Sequence, residues 1–136
     1  MIGGFDIRAI LLATLAVFGI DYFSGIALFA MFSEPLPNAS DEQVKAAVTA
    51  LMHDSGYLRA ALLLGTASTV VGGYLVARIA RQIPYFNALA YGVLGVLLSI
   101  VWVGEEPPAW FKVVGIGVTV PAALLGAYFG KRPLSK

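Results

Sequence analysis

The chain has 136 residues, of which 59% are hydrophobic and 12% charged, with a net charge of +1 and no cysteine. A soluble domain is about 25% charged, and one this small cannot hide so much apolar surface from water, so lipid must be the solvent for most of the chain. The small net charge leaves no nucleic-acid footprint; the missing cysteines exclude disulfides, thiolate metal sites and cysteine nucleophiles; and a single histidine, His53, builds no metal site alone.

The first of four apolar runs covers about 8–32. It is too long for the core of a signal peptide and its start is not clearly basic, so it reads as a retained membrane helix. It carries Asp21, the one charge deep inside any run.

A long polar loop follows, at about 33–56. Within it, SDEQ at 40–43 reads as a capping box, with Ser40 as N-cap and Gln43 reaching back. Val44, Ala47, Val48, Leu51 and Met52 then recur at helical spacing, opposite Asp41, Glu42, Lys45, Thr49, His53 and Asp54. The pattern predicts a short amphipathic helix at about 41–54, ended by Gly56 and lying on the membrane surface or capping the bundle. Its acidic face does not suit anionic lipid heads, which recruit basic helices. It is a structural lid or a docking site for an external partner.

The second run, about 57–80, carries Arg59 and Arg78 near its ends, where long side chains snorkel to water. The turn from Arg78 to Pro84 is short, so this span and the third, about 85–103, should form an antiparallel hairpin. Pro107 and Pro108 close another tight turn before the fourth span, about 109–130. The expected fold is all-α: a polytopic membrane four-helix bundle with an amphipathic helix in the first outer loop, forming one domain.

Small residues recur on these spans. The second has Ala61, Gly65, Thr69, Gly73 and Ala77 at every fourth position. The third has Ala88, Gly92, Gly95 and Ser99; the fourth has Gly115, Thr119, Ala122 or Ala123, Gly126 and Gly130. In lipid no hydrophobic force drives helices together, so small residues that admit close backbone contact mark interfaces. Three such faces on four helices leave one free for a second copy, and a homodimer or a larger membrane partner is expected.

The sequence GGYLVARIARQIP at 72–84, leading into a Gly-rich helix, resembles one found in small four-helix proteins of the bacterial inner membrane. Those proteins carry a GG-aromatic-xx-AR-x-A motif before a proline turn. The likeness spans the second and third runs and, loosely, PAALLGAY at 121–128. It implies a bacterial cytoplasmic-membrane location and the hairpin; it brings no activity, cofactor or metal.

Orientation follows from Lys and Arg. With the N-terminus inside, Arg8, Arg78, Arg81, Lys131, Arg132 and Lys136 are inside, whereas Lys45, Arg59 and Lys112 are outside. Both termini are therefore expected in the cytoplasm. Trp102, Trp110 and Tyr57 would mark the outer boundary, and Tyr85, Phe86, Tyr128 and Phe129 the inner one.

A charge at mid-bilayer costs a few kcal/mol, faces the bundle interior and pairs with something. At about 1.5 Å per residue, Asp21 lies roughly 20 Å above the inner edge. Thr66, Ser99 and Thr119 come out at similar heights, and Ser24 shares a face with Asp21. These residues form a candidate intramembrane polar site, with Arg59 as the cation that would have to bend inward. Three roles compete for Asp21: hydrogen-bonded glue between helices, a proton or cation carrier, and a partner for a basic residue of another membrane protein. No paired acids, Ser–His pair or phosphate loop accompanies it, so no catalytic residue is assigned and an enzyme is not expected. The expected role is a non-catalytic packing, scaffold or accessory protein; the runner-up is a small proton- or cation-coupled transporter or channel built around Asp21.

Overall fold

A computed structural model of the chain describes residues 4–101 and 106–131. Five helices follow one another: α1 (Ile7–Phe32), α2 (Asp41–Leu51), α3 (Ser55–Ile79), α4 (Pro84–Val101) and α5 (Ala109–Gly130). All but α2 are long and apolar enough to cross a membrane. The protein is an all-α, multi-pass membrane bundle of four spans. The expected positions of Trp102, Arg132 and Lys136 lie outside the described residues, as does the end of the third span at 102–103.

Local chemistry sets the helix ends. Asp6 caps α1 by accepting from the Ala9 N–H at 3.1 Å. Ser40 and Gln43 form both halves of the box on α2, at 3.3 and 2.9 Å. Asp54 caps α3 by accepting from the Tyr57 N–H at 2.9 Å. That last bond corrects the expected surface helix. Because Asp54 serves α3, α2 stops at Leu51, and Gly56 lies in the first turn of α3 instead of ending α2. Pro84 opens α4, where its missing N–H is no loss.

The spans alternate in direction. Arg8, Arg78, Arg81 and Lys131 gather at one end, here the basic end; Glu34, Asp41, Glu42, Asp54 and Glu106 lie toward the acidic end. Size sorting is the reverse of a water-soluble core. Leu15, Phe23, Leu63 and Val113 are each at least 69% exposed, while Ala9, Ala13, Ala88, Ala123 and Ala127 are fully buried. Large apolar side chains thus face the lipid, and small ones let backbones meet.

The bundle is not packed evenly. α3 and α5 make the most extensive pairing and α1 packs mainly on α3. Toward the basic end they touch backbone to backbone. A side-chain carbon on Gly73 would collide with the Ala123 carbonyl oxygen, and one on Gly126 with the Val70 carbonyl oxygen. A carbon on Gly130 would sit 2.5 Å from the Tyr74 carbonyl oxygen. Gly72 makes room for the Tyr91 ring of α4, and Gly92 lies against Ala123 and Val120. Buried residues of α4 fall between Asn87 and Gly92, and those of α5 from Ala122 onward. On α1 they stop at Val17 apart from Leu28. The basic half is closed; toward the acidic end α4 and α5 bury none of their described residues, and Leu28, Leu51 and Leu58 mark the packing that remains.

Asn87 ties off the closed end. It is fully buried. Its Oδ1 accepts the Asp6 N–H at 2.8 Å, and its Nδ2 donates to the carbonyls of Gly4, Gln82 and Ile83 at 3.2, 3.0 and 3.2 Å. This one side chain fastens the segment before α1 to the α3–α4 turn. Ile83 has φ 38 in that turn, a region a β-branched residue rarely adopts. Two hydrogen bonds to its carbonyl, from the Asn87 backbone and side chain, hold it there.

Candidate functional site

Ile10, Ala13 and Val17 are the buried stripe of α1, spaced by three and four residues. Asp21 is the next position on that stripe. It is accessible because the packing ends just below it: Ile10, Ala13, Val17, Val76, Tyr91 and Ala123 form a solid apolar floor. Above the floor, residues of all four spans line a half-open cavity of about 580 Å³ with Asp21 in its wall. A side lobe of about 260 Å³ shares Asp21, Thr69, Ser99 and Thr119 and reaches down to Tyr91. The mouth, at the acidic end, is bordered by Glu106, Pro107, Phe111 and Lys112. Lys112 Nζ and Glu106 Oε1 form an ion pair there at 3.0 Å.

Three hydroxyls of the wall have spent their hydrogens. Thr69 donates to the Gly65 carbonyl at 2.8 Å, Thr119 to Gly115 at 2.7 Å and Ser99 to Val96 at 2.7 Å. Buried Ser68 stands beside the Asp21 carboxylate, and its one hydrogen can go to Asp21 or to the Gly65 carbonyl 2.9 Å away. A hydroxyl whose hydrogen is used can only accept from a guest. One carboxylate and several such oxygens make a room of acceptors. It suits a cation or a hydrogen-bond donor. Among the described residues, no three His, Asp or Glu side chains come together as metal ligands.

Four members of the polar layer expected from sequence, Asp21, Thr66, Ser99 and Thr119, line the same cavity. Ser24 and Arg59 do not. Ser24 is half-buried away from it, and Arg59, one turn into α3 at the acidic end, is exposed and takes no part in the cavity wall.

The small-residue stripes also divide. Gly73, Ala77, Gly92, Gly126 and Gly130 are buried at helix crossings. Ala61, Gly65, Thr69 and Gly115, expected as interface, line the cavity. A carbon on Gly65 would meet nothing within 4 Å, and one on Gly115 only Leu62 Cδ1 at 4.0 Å. The same spacing serves both purposes because α3 and α5 cross near Gly73 and diverge beyond it.

No family model, curated protein or solved structure matches the chain. The site is therefore read from its own chemistry. That chemistry includes residues the sequence reading passed over. Tyr91 closes the side lobe, Ser68 stands beside the carboxylate, and Glu106 and Lys112 frame the mouth. Thr69 was legible as a second hydroxyl one turn from Thr66 on the helix facing Asp21. Tyr91 carried no such signal, since its role depends on Gly72 yielding space to its ring.

Proposed function

We propose that this protein is a small, non-enzymatic membrane carrier that binds a cation at Asp21. The supporting observation is the coincidence of the only mid-span carboxylate with a cavity closed on one side and bordered by acceptor oxygens. A carboxylate used as structural glue would be expected in dry packing, with donors around it. Asp21 has one hydroxyl beside it, Ser68, and otherwise borders open space.

The arrangement suits exchange. A carboxylate that holds one cation and then takes one proton releases the cation with no net change of charge in the membrane. Arg8, Arg78, Arg81 and Lys131 at the closed end favour placing that end in the cytoplasm. With the resemblance of the 72–84 segment to bacterial inner-membrane proteins, this gives a cavity facing outward from a bacterial cytoplasmic membrane, with both termini inside. The reading in which Asp21 meets a basic residue of a membrane partner draws on the same open wall. A filled cavity in a purified complex would favour it.

The test is reconstitution in liposomes with an imposed proton gradient. Cation movement is expected with the wild type and Arg59→Gln, and is expected to vanish with Asp21→Asn. Flux that survives Asp21→Asn unchanged would remove the carboxylate from the mechanism.

A further inference from the structure

Resting on that carrier reading, we infer that the cation is a monovalent, lipophilic organic cation, such as an ammonium or phosphonium ion with an apolar body. Size is the first argument. Pockets of about 300–1,000 Å³ hold drug-sized molecules, and the main chamber falls in that range at about 580 Å³. A bare inorganic ion needs several oxygens converging at about 2–2.6 Å. Here the oxygens of Asp21, Thr69, Ser99 and Thr119 are spread over four helices around an open room.

The walls supply the second argument. Between the polar positions stand Leu62, Ile100, Phe111, Ile116 and Val118, an apolar lining that an inorganic ion has no use for. The charge balance supplies the third. One carboxylate lies at depth, and the lysine at the mouth is already paired with Glu106, so a single positive charge is matched. The fourth is access. Phe18 of α1 and Leu98 of α4 border the side lobe and are 48% and 39% exposed. They make the border between α1 and α4 apolar, an entrance suited to a molecule dissolved in the bilayer.

Tetraphenylphosphonium is the probe, added to the full chain purified in detergent. Saturable binding near one per chain is expected, with triphenylphosphine oxide, a neutral analogue, failing to compete. Asp21→Asn should weaken binding at least 10-fold. Gly65→Leu should do the same by filling the chamber, and it should fold, because its first added carbon meets open space and Gly65 lines the chamber that receives the rest. Arg59→Gln, outside the cavity, should bind as wild type does. Binding that persists in both Asp21→Asn and Gly65→Leu would be partition into detergent and would overturn the inference. If neither tetraphenylphosphonium nor the smaller benzyltrimethylammonium binds, while Na⁺, K⁺ or proton flux in liposomes still depends on Asp21, the organic-cation inference falls and the carrier reading stands. If no binding and no Asp21-dependent flux are found, both fall.

Discussion

Gly73 of α3 lies so close to Ala123 of α5 that the smallest side chain on Gly73 would run into the Ala123 carbonyl oxygen. The obstacle is backbone, which cannot rotate away as a side chain can. Gly73→Ala and Gly126→Ala should each destabilise the bundle by about 1–3 kcal/mol, the usual range for overpacking. Gly65→Ala, two steps along the same stripe and in the cavity wall, should be neutral or stabilising by up to about 1 kcal/mol, since alanine is the better helix former. Unfolding titrations in mixed detergent micelles measure all three. Equal losses at Gly65 and Gly73 would mean that the helices do not diverge.

Asn87 makes the second prediction. Replacing it with alanine leaves the Asp6 N–H and the carbonyls of Gly4 and Gln82 without the partner they have now. A buried group left unsatisfied costs about 1–3 kcal/mol. Asn87→Ala should therefore lower the unfolding midpoint and speed amide exchange at residues 6–9, while the cavity end exchanges as before. Uniform exchange along α1 would count against a local knot.

Ser40 tests the independence of α2. Loss of an N-cap hydroxyl costs about 1 kcal/mol of helix stability. The α2 helix packs little on the spans, with Leu51 its buried residue. Ser40→Ala should raise hydrogen exchange across 41–51 and leave the global unfolding midpoint in place. A fall in that midpoint would show that α2 braces the bundle.

At the mouth, Lys112 and Glu106 are both well exposed, at 46% and 81% of the side chain. Such pairs contribute about 0–1 kcal/mol. Lys112→Gln should hardly alter stability. It should quicken association of a cationic probe by releasing the Glu106 carboxylate, most at low salt, because exposed charges act chiefly on on-rates. Stopped-flow binding at two ionic strengths checks this. A rate that ignores the substitution would send the ligand in through the α1–α4 border instead.

Much of this was legible because long membrane helices rise by a fixed step per residue. At about 1.5 Å per residue, Asp21, Thr66, Ser99 and Thr119 could be set at one height from four spans, and height is what the cavity preserves. Rotation about each axis was harder to read. Ser24 shares roughly a face with Asp21 yet falls outside the wall, and Arg59 had no reason to leave water. The stripe from Ala61 to Ala77 is uniform in sequence. Only the crossing angle of α3 and α5 decides that Gly73 is contact and Gly65 is space. Asn87 looked like an ordinary opening residue of a span, since its partners at Gly4 and Asp6 lie more than eighty positions away in the chain. Asp54 could equally end one helix or begin another, and the hydrogen bond to Tyr57 chose the second.

The crossing at Gly73 and Gly126 also acts as a fulcrum. From Gly73 to Ala61 is twelve residues, a lever arm of about 18 Å at about 1.5 Å per residue. A swing of about 10° around the locked glycines moves Ala61 by about 3 Å, roughly the width of one water molecule. A tilt about this pivot would widen or shut the chamber without unravelling a turn of helix.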